Sequence, residues 1–135
     1  MVNKHQQGQG CPICNESKLE TEISKLLDDN DIEYERQKKF EWLCNIKNMS
    51  LDFYLPKYNI AIECQGEQHF RPIDYFGGKE EYDIICNRDR IKYNLCKEHD
   101  LNIFYFSTKE FGNIDYLGNI YCDKERLFEE ITRLQ

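Results

Sequence analysis

Apolar positions along the chain repeat with two different periods. Leu19, Ile23, Leu26 and Leu27 recur at helical spacing and form one stripe. They follow Ser17-Lys18-Leu19-Glu20, in which a Ser N-cap is answered by Glu three residues on. The acidic run Asp28-Asp29-Asn30-Asp31 ends this predicted helix. Residues 32–42 read as a strand, and Asn45 to Asn48 as a turn. From 50 to 55 the period becomes two, with Leu51, Phe53 and Leu55 on one face and Asp52 and Tyr54 on the other. Pro56-Lys57-Tyr58-Asn59 is a turn by composition. Residues 60–65 alternate again, Ile60, Ile62 and Cys64 against Glu63 and Gln65, and Gly66 ends that strand. A loop over 66–81 carries His69, Phe70, Tyr75 and Phe76. A second helix is expected from about Glu81 to Glu98, with Ile84, Arg88, Ile91 and Leu95 turned inward. Residues 101–107 are nearly all apolar, as in a strand buried on both faces. Asp123 caps a last helix bearing Leu127, Phe128, Ile131 and Leu134. The order α-β-β-β-α-β-α implies an α/β (α+β) fold, a mixed central sheet flanked by helices.

The hairpin register places chemistry. With Pro56–Asn59 as a four-residue turn, Leu55 pairs with Ile60, Tyr54 with Ala61, Phe53 with Ile62, and Asp52 with Glu63. Directly opposed residues share a face, so two carboxylates stand with Cβ atoms about 4.5–5.5 Å apart. A solvent-exposed face would make this pair inert. A covered one would require a proton, a cation or a divalent metal, and oxygen ligands that leave room for waters suit Mg²⁺. His69 lies four residues past Gln65, where a neutral imidazole could take a proton from a water. Asp89 shares a helix flank with Ile85, Lys92 and Cys96. It can orient His69 or pair with Lys92 at i,i+3. Glu20 and Glu22 flank the first helix's stripe equally well.

Composition narrows the class. A chain of 135 residues with 13% aromatic and 32% charged residues, 7 Gly and 3 Pro, is a folded globular domain rather than a disordered or collagenous one. No apolar run approaches the roughly 18 residues that span a bilayer, so no membrane partner is expected. The N-terminal residues contain no apolar signal segment, which makes an intracellular setting the expectation. The charge, 18 − 25 = −7, argues against coating nucleic acid by bulk electrostatics. Of the 7 cysteines, Cys64, Cys86, Cys96 and Cys122 read as small buried hydrophobes. Cys11 and Cys14 form a C-x-x-C in a polar segment over 1–16, ahead of the main domain over 17–135. With His5 and Cys44 they are candidate ligands of a structural Zn²⁺.

The strings Ser17-Lys18-Leu19-Glu20, Leu51-Asp52-Phe53-Tyr54-Leu55-Pro56, Ile62-Glu63-Cys64-Gln65-Gly66-Glu67-Gln68-His69-Phe70 and Asn87-Arg88-Asp89-Arg90-Ile91-Lys92 resemble the EDxHD nucleases. These are homing-endonuclease-like proteins of phage type, related to very-short-patch repair endonucleases within the PD-(D/E)XK superfamily. The resemblance spans roughly residues 5–135. It implies a Mg²⁺- or Mn²⁺-dependent DNA endonuclease with Glu20, Asp52, Glu63, His69 and Asp89 in its active site. Asp52 would ligate the metal, with Glu63 and the Cys64 backbone carbonyl. His69 would be the general base and Asp89 the group that holds its imidazole. Gln65 stands where the wider fold has Lys, which leaves the cation's role to His69 or Lys92. Lys38, Lys39, Arg71, Arg88 and Lys92 are candidate phosphate contacts, and Tyr75 and Phe76 could stack on bases. The acidic balance calls for a second subunit or a separate DNA-binding partner. The alternative class is a nuclease-fold module that binds nucleic acid or protein without cutting.

Overall fold

A computed structural model of the chain describes residues 12–44, 48–65, 78–107 and 120–133. The first helix, α1, runs Pro12–Asp29. It begins five residues before the expected Ser17 cap and crosses the 16/17 boundary drawn from composition. Pro at the first helical position explains the earlier start, since its fixed φ and missing N–H cost nothing there. The helix ends as read: Ile32 N–H reaches back to the Leu27 carbonyl at 2.9 Å, with Asp31 left-handed at φ 56°.

The strands are β1 Glu35–Lys38, β2 Leu51–Leu55 and β3 Ile60–Cys64. The expected strand over 32–42 thus shrinks to four residues. The helix α2 covers Gly78–Glu98, starting three residues earlier than expected. It leads into β4, Asn102–Phe106. A two-residue β5, Ile120–Tyr121, was not anticipated and precedes α3, Lys124–Arg133. The order is therefore αβββαββα. Asp123 caps α3 as expected, accepting from Glu125 N–H at 3.0 Å.

One mixed sheet has the order β1-β2-β3-β4-β5. The first two pairings are antiparallel and the last two parallel. The hairpin register is the expected one: Leu55↔Ile60, Tyr54↔Ala61 and Phe53↔Ile62. Asn59, at φ 55°, closes the turn and donates to the Asp100 carbonyl at 3.0 Å. On one face of the sheet α1 and α3 bury Leu19, Ile23, Leu27, Leu127 and Ile131 against Phe53, Ile62, Phe104 and Phe106. The other face is covered by α2, whose Cys96 joins Ala61, Ile103 and Tyr105. Both faces of β3 are consequently buried.

The inner face of α2 coincides only in part with the one apolar periodicity selects: Ile91 and Leu95 pack against the core as expected. Ile85, Asp89 and Cys96 are buried, whereas Ile84 is 58% exposed and Arg88 is exposed. The flank carrying Asp89 and Lys92 turns inward because the sheet beneath it offers a carboxylate to neutralise the ammonium. Among the cysteines expected in the core, Cys64 and Cys96 are buried; Cys86 is half-buried and Cys122 exposed. Among the described residues no helix is long and apolar enough to cross a membrane.

Candidate active site

One step past Phe53↔Ile62, carboxylates bridge the hairpin strands. Glu63 Oε2 accepts the Asp52 N–H at 2.7 Å, and Asp52 Oδ2 accepts the Cys64 N–H at 2.8 Å. The two acids thus stand together, as the register predicted, on the face covered by α2. Glu63 is only 5% exposed and Asp52 is half-buried, so water screens the pair weakly.

The compensating cation comes from α2. Lys92 Nζ donates to Glu63 Oε1 and to the Ser50 carbonyl, both at 2.8 Å. Asp89, 3% exposed, sits one turn earlier on the same flank and acts electrostatically on Lys92. The i,i+3 surface pair of Asp89 with Lys92 is therefore not what forms. Lys92 is committed to Glu63 in the interior rather than displayed as a phosphate contact.

The charges perturb one another in a readable way. Burial, then the neighbouring Glu63 carboxylate, pushes Asp52 up to about 8, and Glu20 adds to the push. The Cys64 N–H and Lys92 pull against it. Burial draws Lys92 down, but Glu63, through charge and hydrogen bond, with Asp52 and Asp89, more than offsets this and leaves it raised. Burial and Glu63 together push the Cys96 thiol up to about 12. Tyr105, which is level with Glu63 on β4, is raised well above its ordinary value by burial and by Glu63 and Asp89. Its hydroxyl and the Gln65 side-chain carbonyl are buried with no hydrogen-bond partner among the described residues.

Glu20 is partly buried on α1 and takes Arg36 Nη2 at 2.6 Å, while Glu22 is exposed. Of the two glutamates that periodicity left open, Glu20 is the one whose charge reaches Asp52. Lys38 on β1 pairs with Glu35 at 3.1 Å and lies over the Phe40 and Tyr54 rings. Lys39 and Arg88 are exposed. His69, Arg71, Tyr75, Phe76 and Cys11 lie outside the described residues, as do His5 and the Cys14 side chain. Cys44 is exposed and bridges Asn48 through its backbone.

Sequence reasoning missed Gln37. It stands opposite Asp52 between the pairs Arg36↔Phe53 and Lys38↔Leu51, and its Nε2 donates to Asp52 Oδ1 at 3.4 Å. The same register count that joined Asp52 to Glu63 finds it once β1 is placed.

The donor set tests a metal directly. Both Glu63 oxygens are engaged by N–H donors, and Asp52 Oδ2 by Cys64. Asp52 Oδ1 is the oxygen that remains open to exchange its long amide contact. Among the described residues no three His, Cys, Asp or Glu side chains converge as a cage. Mg²⁺ commonly binds through one or two carboxylates and keeps several waters, so one carboxylate oxygen held only by a long amide contact fits it. The chain matches no family model, no curated protein and no solved structure.

Proposed function

We infer that this chain is a Mg²⁺-dependent DNA endonuclease of EDxHD type on a PD-(D/E)XK-like core. The observation that carries the reading is the paired Asp52 and Glu63 at the end of the β2–β3 hairpin, served from α2 by Lys92 and Asp89. Asp52 would hold the cation through Oδ1, with Mn²⁺ able to substitute. When bound, Mg²⁺ supplies Lewis-acid polarisation of a phosphodiester oxygen and a more acidic water.

The remaining work falls to side chains of this chain. Glu63 fixes the Asp52 main chain and keeps the Lys92 ammonium in place. The Lys92 charge supplies the cation that Gln65 lacks, and it offsets part of the negative field that Glu63 and Glu20 set at Asp52. His69 accepts the proton of the attacking water, and Asp89 stabilises the resulting imidazolium, by the logic of hydrolytic triads. Lys39 and Arg88 meet phosphates of the substrate. The net charge of −7 makes affinity weak and steeply salt-dependent unless a second copy or a separate partner supplies positive surface.

A second reading, a nuclease-fold module without catalysis, draws on the engagement of both Glu63 oxygens, which leaves one carboxylate for a metal. A cleavage screen over supercoiled, linear, mismatched and single-stranded DNA, each with Mg²⁺ and Mn²⁺, separates the two. The nuclease reading expects metal-dependent cutting that is lost in His69→Ala. No cutting of any substrate with either metal selects the binding module.

A further inference from the structure

Five residues around the hairpin end close a ring of hydrogen bonds. Lys92 Nζ donates to the Ser50 carbonyl and to Glu63 Oε1; Glu63 Oε2 accepts from Asp52 N–H. Gln37 Nε2 donates to Asp52 Oδ1 at 3.4 Å, and Ser50 Oγ donates to Gln37 Oε1 at 3.0 Å. Gln37 completes the ring from the edge strand β1.

Its backbone is unusual for that task. Gln37 has φ 51°, a left-handed conformation that a residue with a Cβ adopts at a cost and glycine adopts freely. Strain of this kind persists where surrounding structure holds it, often beside a functional group. Its neighbours sharpen the point. Arg36 pairs with Glu20 and Lys38 with Glu35, so both cations of β1 are engaged with acids other than Asp52. The group presented to Asp52 is instead a neutral amide. An amide orients a carboxylate without cancelling its charge, whereas Lys or Arg there would occupy and neutralise it.

We propose that Gln37 is a positioning residue for Asp52: its amide fixes the rotation of the carboxylate whose outer oxygen takes a divalent cation, and its left-handed backbone is retained to aim that amide. The Cys64 N–H anchors Oδ2 and Gln37 orients Oδ1, so the two contacts set the plane of the carboxylate. The proposal rests on the reading of Asp52 as the cation's holder. A bulge that merely twists an exposed edge strand would need the backbone and not the amide.

Gln37→Gly and Gln37→Glu test it with opposite signs. Glycine keeps the backbone and removes the amide, and the Mg²⁺ dissociation constant measured by calorimetry should rise about tenfold, as for loss of a partner that orients a ligand. Glutamate puts a carboxylate in the same place and should tighten Mg²⁺ binding. A double-mutant cycle of Gln37→Gly with Asp52→Asn, read as urea midpoints in EDTA, needs no cation and should be non-additive. Additive midpoints overturn the proposal, as does wild-type Mg²⁺ affinity in both Gln37 variants. Wild-type protein that binds no Mg²⁺, with a non-additive cycle, overturns the cation reading of Asp52 and supports the orienting contact.

Discussion

Replacing Lys92 with Met keeps the side chain's length and removes its charge beneath α2. The ammonium lies 2.8 Å from Glu63 Oε1, with the two side chains 14% and 6% exposed. At an effective dielectric of about 20 that separation corresponds to a Coulomb attraction of about 6 kcal/mol. Much of this attraction is offset in the native protein by the desolvation of both charges. The variant loses the attraction and retains the cost of burying Glu63. Asp52 and Asp89 lose the same cation, and the Ser50 carbonyl loses its donor. Breaking a buried pair in this way costs about 3–5 kcal/mol. Urea unfolding at pH 7, followed by fluorescence of Trp42, should show a loss of that size. Adding Glu63→Gln should restore a large part of it, because the orphaned charge is gone. A loss below about 1 kcal/mol, the range of exposed pairs, would refute the claim that Lys92 neutralises a covered carboxylate.

Asp52 predicts an inverted pH dependence. Its carboxyl is raised from 3.8 to about 8 in the folded protein, so the native state holds this proton more tightly than the unfolded chain. Its contribution to stability is complete below the unfolded value and is lost as pH rises towards 8. In EDTA, wild-type stability relative to Asp52→Asn should fall across pH 5–7 by on the order of 1 kcal/mol per unit, a slope that Mg²⁺ flattens by favouring the ionised acid; parallel profiles would show that the carboxyl is not perturbed. Cys96 should resist iodoacetamide at pH 8 in the native protein, since it is buried and its thiol sits at about 12, while exposed Cys44 and Cys122 are labelled. Peptide mapping by mass spectrometry decides this, and alkylation of Cys96 as fast as Cys44 would mean that α2 is not seated on the sheet.

The hairpin was legible because a proline-led turn and two alternating strands admit few registers, and the pairing of Asp52 with Glu63 followed by counting. The double burial of β4 was legible for a similar reason, since Ile103-Phe104-Tyr105-Phe106 has no polar face to expose. The inner face of α2 was legible only in part. Apolar periodicity favoured Ile84, Arg88, Ile91 and Leu95; Ile91 and Leu95 do pack inward, but Ile84 and Arg88 are exposed, and Asp89 is buried with Lys92, whose partners Glu63 and Ser50 stand on other elements. Periodicity records what water expels and cannot record which charges meet. Gln37 escaped because the expected strand over 32–42 was assigned no register against β2, and its left-handed backbone is not signalled by strand propensity. Periodicity did not separate Glu20 from Glu22; the resemblance chose Glu20, and in the structure it is Glu20 that meets Arg36 from β1. The two residues of β5 are too few to carry a period.

We propose that Asp52 holds the cation with which this chain cuts DNA. It is tested most directly by the rate at which supercoiled plasmid is nicked as Mg²⁺ is raised from zero, for wild type and for Asp52→Asn with an intact fold verified by circular dichroism. Nicking by the wild type should depend on Mg²⁺ and saturate, and the rate should be at least about a hundredfold lower for Asp52→Asn, a loss of about 3 kcal/mol of transition-state stabilisation. Equal nicking rates in the two proteins would contradict it.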